Sequence, residues 1–269
     1  MRRHHDDESH EHDRGLSYDL PVLARRRMIR LMAGAGVGAA LVPLAGCTAD
    51  ATSSSTSAAD CATVPEETAG PYPADGSNGV NVLKESGVVR GDIRRSFGDS
   101  AGGTAEGVPL TLTLTVLDAG SGCADPRKGA AVYVWHCDRE GGYSLYTEGV
   151  TDENYLRGVQ ETDAKGQVTF TTVFPGCYTG RWPHIHFEVY GSLRDATRAT
   201  AITSTSQLAL PKDVCDTVYA TEGYERSVDN LGRLSLESDS VFRDGHDQQL
   251  AAVKGGVEKG YTATLTVTV

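Results

Sequence analysis

Hydrophobic and polar residues alternate along much of this chain with the period of β-strands. Leu110, Leu112, Leu114 and Val116 alternate with Thr111, Thr113 and Thr115, the pattern of a strand with one buried face. Ala131–His136, Gln167–Phe174 and Ile185–Tyr190 continue it, and Tyr261, Ala263, Leu265, Val267 and Val269 alternate with polar residues again. Turn formers divide these runs: Asp118-Ala119-Gly120, Asp163-Ala164-Lys165-Gly166 and Pro175-Gly176. Helical patterning is short and confined to Pro211–Ala220 and Asp247–Val253. The arrangement predicts an all-β fold, a β-sandwich of mostly antiparallel strands with short helices. No repeat and no second domain is visible, so residues 61–269 read as one domain.

The first 60 residues follow a different pattern. Arg25-Arg26-Arg27-Met28-Ile29-Arg30 precedes an apolar, Gly/Ala-rich run from Leu31 to Leu44. A basic segment followed by such a run is an export signal, and it is shorter than the roughly 20 residues a spanning helix needs. The Arg-Arg-x-apolar-apolar-basic order resembles a twin-arginine signal. Leu44-Ala45-Gly46-Cys47 resembles a lipobox, which would make Cys47 the lipidated first residue of the mature protein. Residues 1–46 are therefore read as leader and lipoprotein signal. Residues 47–60, rich in Ser, Thr and Ala, are read as a flexible tether. The expected location is the extracytoplasmic face of the cell membrane, held only by the lipid anchor.

Composition narrows the function classes. A formal net charge of −11 lacks the basic footprint that nucleic acid requires and gives no polybasic grip on anionic lipid. With Cys47 set aside, Cys61, Cys123, Cys137, Cys177 and Cys215 remain. Export predicts that most of them are disulfide-bonded. The odd number requires at least one to be free or paired between chains.

The densest chemistry lies in Arg181-Trp182-Pro183-His184-Ile185-His186-Phe187. On a strand, positions i and i+2 share a face, so His184 and His186 point the same way, about 7 Å apart at Cα. That suits them to one metal ion. Ile185, Phe187 and Val189 are assigned to the sandwich core. Two ordinary strand histidines are the plainer alternative for the pair.

Around this motif, the order and spacing of VYVWH, GYS, YLRG, TDAKG, FTTVFPGCY and RWPHIHF resemble the intradiol ring-cleavage dioxygenases, the family of catechol and protocatechuate dioxygenases. The likeness covers about residues 61–269 and is densest from Gly129 to Tyr190. It implies a non-haem Fe(III) ion held by Tyr143, Tyr178, His184 and His186. It also implies a catechol-type substrate, cleaved by O2 between its hydroxylated carbons to a cis,cis-muconate-type diacid. Tyr178 would be the ligand that gives way and accepts a substrate proton. Arg181 would stabilise negative charge on the ring, Gln207 would support the site, and Tyr72, in Thr68-Ala69-Gly70-Pro71-Tyr72, would stand at the pocket mouth against substrate. Arg157 is expected to order a loop, and His136 to be structural. Two residues separate Tyr178 from Arg181, where cytosolic catechol dioxygenases carry a longer loop, and no helical dimerisation segment precedes the sandwich. Both leave the substrate and any homo-oligomer open. The alternatives are a non-catalytic, lipid-anchored β-sandwich binding module and a different metalloprotein holding copper or zinc.

Overall fold

The computed structural model describes residues 61–198 and 201–269. The signal, Cys47 and the 47–60 tether lie outside the described residues. Eight strands occur in the order β1 (Pro109–Leu117), β2 (Ala131–Trp135), β3 (Arg157–Glu161), β4 (Gln167–Val173), β5 (His184–Tyr190), β6 (Ile202–Ala209), β7 (Ala252–Gly256) and β8 (Gly260–Thr268). They form two four-stranded sheets with strand orders β4-β1-β8-β7 and β3-β2-β5-β6. All neighbours are antiparallel except β1 and β8. Short helices α1 (Leu193–Thr197), α2 (Lys212–Tyr219) and α3 (Glu225–Leu231) lie around β6 in sequence. No helix among the described residues is long and apolar enough to cross a membrane.

The sheets close on the faces that the alternation marks. Leu110, Leu112, Leu114 and Val116 meet Val132, Val134, Ile185, Phe187, Val189, Ala263 and Val267 in one buried cluster. Because side chains alternate, filling this core from β2 and β5 turns Tyr133, Trp135, His184 and His186 to the other face of their sheet. That face is buried too. Tyr72, Ala74, Val82, Leu83, Val88 and Tyr143 pack over Ala131, Tyr133, Trp135 and Tyr190. The layer that would be solvated in a plain sandwich is therefore roofed by residues 72–88 and the loop after β2.

Three expectations change. Asp247–Val253 is not a helix. Ala209 receives a hydrogen bond from the Ala251 N–H and gives its own to the Gln249 carbonyl, and β7 begins at Ala252. Pairing with the end of β6 overrides the local pattern there. β3, β6 and β7 join the strands marked by alternation. Most of the cysteines are not bonded either. Cys61 joins Cys123, while Cys137, Cys177 and Cys215 are free and buried, where a thiol packs as a small apolar group.

Candidate metal centre

β5 runs between β2 and β6, so its side chains are flanked on both sides. Trp135, His186 and Gln207 lie abreast on three adjacent strands. The indole of Trp135 stacks on the His186 ring, with centroids 4.8 Å apart and planes 9° from parallel. The Nδ1 of His184 lies 2.5 Å from the Trp182 carbonyl oxygen. That contact requires a proton on Nδ1 and leaves the Nε2 lone pair free to face inward.

The two tyrosines come from loops. In the turn before Tyr143, Asp138 Oδ1 accepts the N–H groups of Glu140 and Gly142, and the Tyr143 N–H donates to Thr147 Oγ1. Gly141 has φ +90°, and a Cβ there would sit 3.1 Å from Cβ of Tyr178. Both the left-handed backbone and the close approach of the two loops call for glycine. Tyr178 follows β4. Its preceding residue, Cys177, is tied to α3 at both backbone groups: its N–H donates to Ser227 Oγ and its carbonyl accepts from Asn230 Nδ2.

These elements bring four donor atoms together. His184 Nε2 is 3.1 Å from His186 Nε2, 3.2 Å from Tyr178 Oη and 3.4 Å from Tyr143 Oη, and the phenolic oxygens are 3.5 Å apart. Separations of this size suit donors ranged about 2 Å from a common first-row metal ion. Burial, then Arg181, lowers His184 to about 3. Burial, then His184 and Arg181, drives His186 well below the ordinary histidine value. Both imidazoles are therefore neutral and fit to ligate. Burial, then Tyr178, pushes Tyr143 well above the ordinary phenol value, so a metal must displace its proton. The donor set thus fits a cation strong enough to ionise phenol. Among the described residues no group of three His, Cys, Asp or Glu could hold a metal, so a metal held at this face depends on the tyrosines.

Arg181 and Gln207 adjoin the cluster. Arg181 is 2% exposed and pairs through Nε with Oδ2 of fully buried Asp239 at 3.1 Å. Its Nη2 donates to Gln207 Oε1 at 2.6 Å, and Gln207 Nε2 donates to the Thr68 carbonyl. Tyr72 is buried, with its ring centroid 4.9 Å from that of Tyr143 and 5.1 Å from that of Tyr146. It backs a candidate ligand. Gly70 brings the same segment onto His186, since a Cβ there would lie 3.4 Å from Cε1. His136 bridges the Cys137 carbonyl and Thr172 Oγ1 inside the fold, and Arg157 binds loop carbonyls; both fit the structural roles expected of them. Sequence reasoning missed Trp135, Asp239, Ser227 and Asn230. Only Asp239 carried a local signal, an acidic residue just before the apolar pair Val241-Phe242 that could cap a turn.

A family model described as Dioxygenase matches residues 89–223. That span holds Tyr143, Tyr178, Arg181, His184, His186 and Gln207, and leaves out Tyr72 and Asp239. Among solved structures, the chain is similar to an intradiol ring-cleavage dioxygenase from Tetranychus urticae, with 25% identity, 77% of this chain and 94% of that chain covered, and a TM-score of 0.61. A hydroxyquinol 1,2-dioxygenase from Pseudomonas putida DLL-E4 is more distant, at 17% identity, 77% and 66% coverage, and a TM-score of 0.45. No curated protein sequence matches the chain. With the family model covering just over half of the 269 residues, the chain belongs to the intradiol ring-cleavage dioxygenase family.

Proposed function

We propose that this protein is an Fe(III)-dependent dioxygenase that opens a catechol-type ring between its hydroxylated carbons, using O2 to yield a cis,cis-muconate-type diacid. The convergence of Tyr143, Tyr178, His184 and His186 carries the reading: His184 Nε2 lies 3.1–3.4 Å from the other three donor atoms, and the two phenolic oxygens are 3.5 Å apart. Two phenolate oxygens are hard anionic donors that favour the ferric state, unlike the two-histidine, one-carboxylate set of O2-activating Fe(II) sites. Ferric iron, when bound, supplies the electron-accepting centre that makes a catecholate ring reactive towards O2.

The chain's own residues do the rest. Tyr143, 1% exposed, is the permanent phenolate ligand. Tyr178, half-buried, is the ligand with room to turn, and its phenolic oxygen takes the proton of a catechol hydroxyl. Arg181 places a fixed positive charge beside the electron-rich ring and its developing oxyanions. Gln207 keeps that guanidinium tied to the Thr68 segment. Gly70, against His186, and Tyr72, against Tyr143, wall the site and limit the access of bulk water to the ring. The protein is further proposed to act outside the cytoplasm, anchored through lipid on Cys47. The Cys61–Cys123 disulfide supports export.

The test uses purified protein loaded with iron. The expected results are a visible tyrosinate-to-iron charge-transfer band, oxygen uptake with catechol, protocatechuate or hydroxyquinol, and a muconate or its lactone as product. A yellow semialdehyde would mean cleavage beside the diol and would overturn the reaction assigned. A colourless protein holding zinc, copper or no metal would overturn the iron centre.

A further inference from the structure

The residues after position 223 reach back to the candidate centre and fix Arg181 from behind. Asp239 is fully buried, and its two oxygens have four donors between them. Oδ1 accepts the N–H groups of Val241 at 2.8 Å and Phe242 at 3.2 Å. Oδ2 accepts the N–H of Trp182 at 2.7 Å and Nε of Arg181 at 3.1 Å. Three of these donors are backbone groups, so the carboxylate cannot rotate without orphaning buried N–H groups. Its grip on Nε and on the next residue's N–H holds the Arg181 side chain in place relative to the backbone that carries it.

The opposite end of the guanidinium is held as firmly. Nη2 meets Gln207 Oε1 at 2.6 Å. Gln207 is itself held by the Thr68 carbonyl at its side chain and by Gln249 Nε2 at its own carbonyl. Arg181 thus has an acid on one edge and an amide on the other, and its charge is felt at Tyr143, His184 and His186.

We propose that Asp239 is the positioning residue for Arg181: it holds the guanidinium against the tyrosine–histidine cluster in the one orientation that a bound catecholate can use. The inference rests on the catechol-cleaving function proposed above. A buried arginine without this partner would turn towards other acceptors, and the fraction of time spent correctly aimed would fall. The carboxylate also offsets part of the arginine's charge, so Arg181 offers directed N–H groups more than an unshielded field.

The experiment is a double-mutant cycle on the full, iron-loaded protein: wild type, Asp239→Asn, Arg181→Gln, and the two combined. Each is measured for iron content, for kcat and KM with catechol, and for anaerobic catechol affinity by visible titration. Asp239→Asn should keep iron within about twofold of wild type yet lose about 30-fold in kcat/KM, the scale of one charge-assisted hydrogen bond. Arg181→Gln should lose about 100-fold. The double variant should be no worse than Arg181→Gln within about twofold, because Asp239 acts only through the residue already removed. If Asp239 merely supports the fold, the losses multiply and iron falls with Asp239→Asn in either background; that result overturns the inference. If Asp239→Asn alone is too unstable to purify, Arg181→Gln against the double variant still decides. The double variant leaves no unpaired buried charge, and a further loss in it refutes the proposal. A wild type that cleaves no catechol refutes the proposed function itself, whereas an active wild type with multiplying losses refutes only the role given to Asp239.

Discussion

Arg157 offers the sharpest test of how the roof over the candidate metal face is held. Its side chain is fully buried on β3. Its contacts are to oxygens without formal charge: Nε to Ser144 Oγ at 3.1 Å, Nη1 to the carbonyls of Tyr72 and Pro73 at 2.9 and 3.1 Å and to Tyr133 Oη at 3.3 Å, and Nη2 to the Ser144 carbonyl at 3.0 Å. One guanidinium thus ties the Tyr72 segment to the residue after Tyr143. Arg157→Met removes every donor at similar length. The Pro73 carbonyl keeps the Tyr133 hydroxyl, and Ser144 Oγ still donates to the Tyr155 carbonyl. The Tyr72 and Ser144 carbonyls each lose the bond that Arg157 gives them. Each buried bond lost costs about 1–3 kcal/mol, while removing a buried charge refunds part of the desolvation penalty. The expected loss is about 3 kcal/mol, read as a lower urea midpoint at unchanged slope. Because Tyr72 packs on Tyr143, iron affinity and catechol binding should weaken along with stability. A loss below about 1 kcal/mol would show that the loop holds itself and that Arg157 is not the tie.

Three further outcomes are expected. Tyr178→Phe should retain substantial iron but bind catechol slowly, and its catechol complex should match the wild-type spectrum, whereas Tyr143→Phe should cost far more iron and erase tyrosinate character from the complex; a Tyr178→Phe protein with a wild-type resting spectrum and binding rate would remove Tyr178 from the ligand set. His136 is lowered to about 4, chiefly by burial, against an ordinary value near 6.5; the unfolded chain therefore takes up that proton first as pH falls, and about 2 kcal/mol of stability should be lost between pH 7 and pH 5, a loss that denaturant titrations of His136→Gln should show to be smaller by that amount. Reducing the Cys61–Cys123 bond, which joins residues 62 apart in sequence, should lower stability by about 4 kcal/mol on the loop-entropy scale, measured by denaturation with and without reductant; an unchanged midpoint would show that the bond constrains little of the unfolded chain.

How much of this was legible depends on whether one face of an element decides its sequence. β1 and β8 alternate because one face is core and the other is not, and both were readable from Thr and Leu/Val spacing. β6, Ile-Thr-Ser-Thr-Ser-Gln-Leu-Ala, is buried along most of its length. It is covered by the segment that gives Ser206 Oγ and Gln207 Nε2 their carbonyl partners, so no alternation of apolar and polar residues marks it. β3 is short and carries Gly158 and Arg157 where apolar residues would mark a strand. At the site, the shared face of His184 and His186 was legible from strand geometry alone. Tyr143 and Tyr178 were singled out by family likeness, because their meeting depends on two loops that only Gly141 lets approach so closely. Asp239 lies 58 residues from Arg181, and no local pattern could join them. The free cysteines went wrong for a related reason: export predicts oxidation, but burial decides whether two thiols can meet.

The structure also refines how Tyr178 would yield to substrate. A turn after Pro175-Gly176 suggests a ligand that swings with its backbone. That backbone is held. Cys177 is bound at its N–H and carbonyl by Ser227 and Asn230 of α3, and Thr179 Oγ1 reaches Asn230 Oδ1 at 3.4 Å. Moving the turn would break the two hydrogen bonds at Cys177, one buried and one part-buried, at about 1 kcal/mol or more each, and the exposed one at Thr179. Rotating the side chain breaks none of them. The two tyrosines differ in the room they have for such rotation. Tyr143 is 1% exposed and packed against Tyr72, whereas Tyr178 is half-buried beside exposed Thr179. The proposed division of labour therefore rests on side-chain freedom over a fixed frame. The histidines are set by a strand flanked on both sides, Tyr143 is set by packing, and Tyr178 joins a held backbone to a half-buried ring. A releasable ligand on a rigid turn can return to the same place after each turnover, which a ligand on a loose loop could not do as reliably.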